Sequence, residues 1–409
     1  MYLKHLTLIN FRNYTRLELD LPARIHVLQG ENAQGKTNLL ESIYYLSTTW
    51  SPITSSDRQL INWAVDQEPI PHADIRIVFV REEKERTIEV TLVKERQVGG
   101  DPAQMSFRRR IRLDGVPRRP LDVVGQLKVV LFLPQDIALV DGPPVGRRHY
   151  LNVTLCQIDS VYCRSLSRYN RVITQRNALL RRIREGQASI SELDYWDEQI
   201  SKLGAYVLSR RLWAVRELGG EVEAIQRSLT GGQENLLLRY ESTLERQQEP
   251  VDKGLPLRSD AENAAQGEGE DIPHLEAAFL QAYRAVRSEE VARGVTIVGP
   301  HRDDLRFLVN GIDMTVFGSR GQQRTIALAL KLAEVTLMYR QSGEMPILLL
   351  DDVISELDQG RRRFLLEEVS KAQQVFITTT DLAYYGREFL DKALLWRVSA
   401  GAIVPIASP

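Results

Sequence analysis

Residues 16 to 21 read RLELDL, with Leu17, Leu19 and Leu21 alternating with Glu18 and Asp20. A period of two marks a strand with one buried face. Residues 2 to 10 also read as a strand, so a pair is expected here. A third strand, RIHVLQ, runs into a glycine loop. Residues 36 to 47 then place Leu39, Leu40, Ile43 and Leu46 on one helical face. DIRIVFV (74 to 80), RTIEVTLV (86 to 93) and FRRRIRLDG read as further strands, with Asp114-Gly115 as a hairpin turn. VVLFLP (129 to 134) fits a buried strand ended by proline.

From about 146 to 229 the period becomes helical, with Gly186 and the pair Gly219-Gly220 as expected stops. Residues 241 to 272 are polar and rich in Glu, Gln, Gly and Ala, which predicts a flexible insertion. A helix over 275 to 293 follows, then a second hairpin marked by Asn310-Gly311. A helix over 319 to 341 carries Ile326, Ala327, Leu330, Leu332 and Ala333 as its apolar stripe. The strand PILLLDD, a helix over 359 to 371, the strand QVFITTT and a final strand pair close the chain. The expectation is an α/β body in two sequence-distant halves, 1 to 145 and 294 to 409. A mainly helical unit, 146 to 293, is inserted between them.

Composition narrows the class. The 409 residues are 43% hydrophobic and 26% charged, ordinary for a globular protein. The net charge of -1 gives no chain-wide basic field, so a nucleic-acid surface must be a local patch. Cys156 and Cys163, seven apart on a predicted helix, suit neither a disulfide framework nor a metal site. A reducing cytoplasm fits best. No apolar run approaches the length of a membrane span, and the N-terminus has no signal-like apolar core.

The chemistry begins at GENAQGKT, residues 30 to 37, which matches G-x-x-x-x-G-K-[ST] between an apolar strand and a helix. Gly30 and Gly35 permit a tight backbone that turns N–H groups onto phosphates. Lys36 would neutralise the β- and γ-phosphate charges, and Thr37 offers a hydroxyl to Mg²⁺. The run ILLLDD, residues 347 to 352, is apolar throughout and reads as a parallel strand covered on both faces. Its two carboxylates then fall at the ligand crevice. Asp351 is the expected metal partner, and Asp352 the group that orients or deprotonates the attacking water. A second anion-binding helix start stands at Ser319 to Gln323, SRGQQ, where Ser319 can also serve as an ordinary cap.

The order of phosphate loop, SRGQQ, ILLLDD and SELD resembles an ABC-type ATPase head, with SRGQQ as its signature and Ser355 to Asp358 as its D-loop. The wide separation of loop and signature resembles the split heads of the SMC class. LTLINFRNY, GENAQGKTNLLESIYYLS, GPHRDDL and LLLDDVISELD together resemble the RecF family of bacterial recombination mediators, from residue 3 to about 383. The resemblance implies weak DNA-stimulated ATP hydrolysis with Mg²⁺ and an ATP-dependent head-to-tail homodimer on single- or double-stranded DNA. It also implies work with RecO and RecR to bring RecA to single-stranded gaps, in replication-fork repair and the SOS response. A transporter subunit would need a compact signature spacing, and an SMC tether long heptads; neither is present.

Carried over, Gly30, Glu31, Asn32, Ala33, Gln34, Gly35, Lys36, Thr37 and Asn38 line the triphosphate. Arg12 and Asn13 sit where such heads contact the γ-phosphate. Ser319, Gly321, Gln322 and Asp358 face the partner's nucleotide. Gln135, in FLPQDIALVDG, stands at the Q-loop as a catalytic candidate, with Asp136 as the alternative. Thr380 or Asp381 replaces the usual switch histidine, and His301 is expected to be structural. Arg108 to Arg110, Arg118-Arg119, Arg147-Arg148, Arg181-Arg182, Arg210-Arg211 and Arg361 to Arg363 are the candidate DNA contacts.

Overall fold

The computed structural model describes residues 1–96, 105–246 and 271–406. The chain forms two compact units, residues 1–136 with 328–409, and residues 137–327. The second unit is wider than the expected 146 to 293 and takes in both GPHRDDL and SRGQQ.

In the first unit, β1 (Tyr2–Phe11), β2 (Tyr14–Asp20), β3 (Ile25–Gln29) and α1 (Lys36–Thr48) precede β4 (His72–Arg81), β5 (Lys84–Arg96), β6 (Met105–Leu113) and β7 (Val116–Pro117). A turn of helix, α2 (Pro120–Val123), leads to β8 (Val129–Phe132). The second unit contains α3 (Ala138–Asp141), α4 (Pro144–Ile158), α5 (Ser160–Arg184), α6 (Leu193–Leu229) and β9 (Leu236–Glu241). It continues with α7 (Thr243–Arg246), α8 (Ile272–Arg293), β10 (Asp304–Val309), β11 (Ile312–Asp313) and α9 (Met314–Phe317). Helix α10 (Arg320–Ser342) returns the chain to the first unit, completed by β12 (Ile347–Asp351), α11 (Gln359–Val369), β13 (Val375–Thr379), α12 (Arg387–Lys392), β14 (Ala393–Ser399) and β15 (Ala402–Ile406).

Two sheets build the first unit. One is antiparallel in the order β2-β1-β4-β5-β6-β7; the other runs β15-β14-β3-β13-β12-β8 and is parallel except at β15. Helix α1 packs against strands of both. Its Leu39, Leu40, Ile43 and Leu46 are all buried, as their spacing requires. The continuous apolar runs of β3, β8, β12 and β13 are buried, as the strands of a parallel sheet covered on both faces are. In register, Asp351 pairs with Thr378, Thr379 with Gln29, and Leu350 with Phe132. The carboxyl ends of four strands therefore meet at one edge, where α/β sheets bind ligands.

Three details differ from the pattern reading. Helix α6 runs through Gly219 and Gly220 without a break. Each glycine costs about 1 kcal/mol in a helix interior, but buried Ala214, Val215, Leu218 and Val222 hold both sides of the pair. Strand β9 adds a third strand to the Asn310-Gly311 hairpin. Most of the polar stretch expected to be flexible, 247 to 270, lies outside the described residues. Its ends complete β9 and begin α8.

Candidate functional site

The loop after β3 is bent by Ala33 (φ 64°) and Gly35 (φ 114°). Successive left-handed and helical residues point N–H groups into one concavity, a shape that holds anions. Both glycines are packing requirements. A Cβ on Gly30 would stand 2.4 Å from the Val398 carbonyl oxygen, and one on Gly35 2.6 Å from Asn13 Nδ2. Neighbours brace the loop. Asn13 Nδ2 donates to the Gln34 carbonyl (3.0 Å), Tyr14 to the Gly35 carbonyl (2.9 Å), and Ala400 N to Gln34 Oε1 (2.7 Å).

Lys36 is buried, and its ammonium donates to the carbonyls of Gly30 and Glu31, the latter at 2.9 Å. Burial lowers its pKa, and Asp352 and Asp351 pull it partly back. Thr37 Oγ1 lies 2.9 Å from both oxygens of Asp351, and Thr378 holds Asp351 from behind at 2.7 Å. Adjacent ligands of an octahedral ion with bonds of about 2.1 Å stand about 3.0 Å apart, so this hydroxyl and carboxylate fit one edge of a Mg²⁺ shell. No cluster of three or more His, Cys, Asp or Glu suited to a metal occurs among the described residues.

Asp352 has a left-handed backbone (φ 50°), a strained state for aspartate. Thr378 Oγ1 accepts from its N–H at 2.9 Å. Its Oδ1 is buried and has no hydrogen-bond partner. Burial raises its pKa, opposed by Lys36 and reinforced by Asp351. Asp352, Asp351, Lys36, Thr37, Asn32 and Pro134 line one cavity of about 270 Å³. Asp352, with one orphaned carboxylate oxygen, shares this cavity with Lys36 and Thr37, a set that fits a triphosphate with its attacking water. Asn38 also lines a neighbouring cavity of about 660 Å³ with Arg12, Asn13, Gln59 and the exposed Trp63, of a size for a sugar and base.

The remaining candidates fall in different places. Arg12 donates from Nε to buried Glu41 (2.7 Å) and from Nη1 to the Gln59 carbonyl (3.3 Å). Gln135 is exposed on the turn whose Pro134 reaches the cavity. Asp136 accepts from Leu133 N at 2.8 Å, and burial pushes its pKa up to about 6. Thr380 lines a separate cavity of about 350 Å³ with Gly30, Glu31 and Gln34. Asp381 caps a helical turn through Ala383 N. Asp358 caps α11 and accepts from Arg361. Thr378, which bonds both Asp351 and Asp352, escaped the sequence reading; its place in FITTTD opposite ILLLDD was the available signal.

In the second unit, Ser319 and Gln322 form a reciprocal capping box, at 3.1 and 3.3 Å. Gln322 also donates to Glu234 (2.8 Å). Gly321 is exposed, and a Cβ there would meet nothing within 4 Å. His301 bonds Tyr169 (2.8 Å) and the Thr296 carbonyl (3.1 Å), and burial lowers its pKa to about 4. Two of the proposed DNA contacts are internal: Arg147 pairs with Asp304, and Arg211 bonds Tyr162, Tyr240 and the Pro300 carbonyl. Neither is accessible to DNA.

Phosphate loop, parallel sheet, strand-end aspartates and signature helix define an ABC-type ATPase head. The RecF/RecN/SMC N terminal domain model matches residues 2–388, and the chain belongs to that family. Within it the relatives are RecF proteins. "DNA replication and repair protein RecF" of Chloroflexus aurantiacus is 41% identical over 98% of this chain and 99% of its own. The RecF of Bacillus subtilis is 36% identical over 99% and 100%. A solved recombination mediator protein RecF with ATP, described in the RecFOR pathway, has a TM-score of 0.81 at 27% identity, covering 99% of this chain and 98% of that one. An SMC head bound to a winged-helix domain of ScpA, at 14% identity and TM-score 0.50, shares the fold.

Proposed function

We propose that this chain is an ATP-dependent DNA-binding protein of recombinational repair, with slow ATP hydrolysis. The observation that carries it is Asp352, with an orphaned Oδ1, lining one cavity with Lys36, Thr37 and Asp351. The loop N–H groups and Lys36 hold the β- and γ-phosphates. Thr37 and Asp351 hold Mg²⁺, which when bound supplies charge neutralisation on the phosphate oxygens. Asp352 orients the attacking water and takes its proton. Base and sugar occupy the cavity between Asn13, Asn38 and Trp63.

The signature faces a second copy. Ser319 and the N–H of Gly321 contact the γ-phosphate bound to the partner, Asp358 lies at the same interface, and hydrolysis releases the pair. Gln135 and Arg12 complete the phosphate contacts only if they move from their present positions. The names of the relatives support the DNA-repair context; partnership with RecO and RecR, delivery of RecA to gaps and a place in the SOS response complete the proposal.

Light scattering of the full chain with and without Mg·ATP, beside Asp352→Asn, tests the reading. The expected result is a variant that dimerises only with ATP and does not turn it over. A variant that stays monomeric removes the shared-site mechanism.

A further inference from the structure

Helix α5 carries seven arginines and no aspartate or glutamate in 25 residues. At the chain's own frequency, 54 acids in 409 residues, a segment of that length holds about three. Arg176 is fully buried between Asp197 and Glu290, so its role is internal. The other six, Arg164, Arg168, Arg171, Arg181, Arg182 and Arg184, are exposed. No ion pair is formed by any of them among the described residues. Arg164 only reaches Ser160 (3.2 Å), and Arg182 the Gln187 carbonyl (3.5 Å).

Four of the six share one face. At about 100° per residue, Arg164, Arg168, Arg171 and Arg182 fall within roughly 60°, with Gln175 between them. They project opposite Tyr162, Tyr169 and Leu180, which the unit buries. The stripe spans about 27 Å, at about 1.5 Å per residue. Arginines in the last turn complement the helix dipole, which accounts for Arg181, Arg182 and Arg184. Arg164 and Arg168 stand in the second and third turns, where the dipole gives them no support, and three and four residues apart the stripe repels itself. The acid at the helix start gives no relief. Asp159 already accepts from Val161 N, Tyr162 N and Arg210. An arrangement that costs stability in the free chain is offset by a polyanion outside it.

We propose that this stripe on α5 is a contact surface for the DNA phosphate backbone, independent of sequence. The inference rests on the DNA-binding reading above and assigns it a surface. Guanidinium forks match phosphate oxygens bidentately. A 27 Å row covers about eight base pairs of duplex at about 3.4 Å each. The face offers arginine and no base-reading pattern, so it positions and does not specify.

The test is fluorescence anisotropy of the full chain with Mg·ATP and a fluorescein-labelled duplex of about 30 base pairs, titrated with salt. The variant carries Arg164→Gln, Arg168→Gln, Arg171→Gln and Arg182→Gln, and circular dichroism confirms its fold. Loss of four phosphate contacts should flatten the log–log salt slope by about 3 to 4 and weaken low-salt binding by at least about 100-fold. Arg16→Gln, Arg112→Gln and Arg239→Gln, exposed arginines outside every candidate cluster, should change the slope far less. If the four-site chain misfolds, Arg168→Glu alone should still lower affinity. A stripe variant with wild-type affinity and slope overturns the proposal. Displacement of the duplex by polyglutamate at equal charge concentration also overturns it, in favour of an acidic protein. A wild-type chain that binds no duplex at any salt defeats the DNA reading itself, whereas equal binding by wild type and variant defeats only the surface.

Discussion

Gly321→Ala separates what the signature helix needs by itself from what it needs for a partner. Gly321 lies in the first turn of α10 with ordinary helical backbone, and an added Cβ would meet nothing within 4 Å. Gly318, three residues earlier, is different: its Cβ would stand 2.5 Å from the Met314 carbonyl oxygen. So nothing inside the unit demands glycine at 321. Alanine is favoured over glycine by up to about 1 kcal/mol in a helix interior, and about half that in the first turn. The variant should therefore melt about 1–2 °C higher. Against a partner's phosphate the sign reverses. A methyl group where an oxygen approaches the helix N–H holds the two surfaces apart. Each charge-assisted hydrogen bond lost costs about 1.5–3 kcal/mol. With two such sites per dimer, association should weaken by about 10² to 10⁴. Sedimentation of the Asp352→Asn chain with Mg·ATP, with and without Gly321→Ala, reads this directly. A variant that dimerises within about threefold of its parent refutes the close approach, whatever its melting temperature.

Lys36→Arg should bring turnover down by at least about 100-fold, because a planar guanidinium cannot occupy the buried position clasped by two loop carbonyls; phosphate release measures it. Burial raises the pKa of Asp352, so its basic form is lost earlier as pH falls, and the acid limb of the pH–rate profile should lie above that of an ordinary aspartate. The same sign governs stability: the folded chain holds that proton more tightly than the unfolded chain, so ionisation costs stability. Asp352→Asn should thus raise the melting temperature at pH 7 and leave it unchanged at pH 3. Asp136, pushed up to about 6, obeys the same logic. Stability from its bound proton is lost as pH rises from about 4 to 6, and Asp136→Asn, which can keep the Leu133 N–H bond, should recover at most about 3 kcal/mol at pH 7.5 and nothing at pH 4.

Much of the head was legible in the chain because its chemistry is local. The glycine loop, Lys36 and Thr37 are adjacent in sequence, and a buried parallel strand announces itself as an unbroken apolar run. The tie between Thr37 and Asp351 spans 314 positions, yet each end carries its own pattern. What pattern could not supply was the occupancy of side chains. Arg12 reads as a γ-phosphate contact; in the structure it is held by Glu41, which is buried on the side of α1 away from the apolar stripe and has no sequence mark of its own. The runs of paired arginines illustrate the same limit. Arg147 and Arg148, or Arg210 and Arg211, look equivalent, but helical rotation puts one partner inside the unit and leaves the other nearer its surface.

The motif GPHRDDL shows how a family signature can be structural. Asp303 accepts from Tyr240 and Thr243, Asp304 takes both arms of Arg147, and His301 joins Tyr169 to the Thr296 carbonyl. Each partner comes from a different element, so the motif ties α4, α5 and the β9–β10 strand pair around one buried polar centre. Such a centre is costly to break, because any lost member leaves a buried charge or donor unpaired. The lowered pKa of His301 follows: it acts as a neutral hydrogen-bonding bridge, and protonation would strand a charge beside Arg302, Arg148 and Arg211. A histidine held neutral this way braces α5 against the segment that leads into β10, which is a structural role.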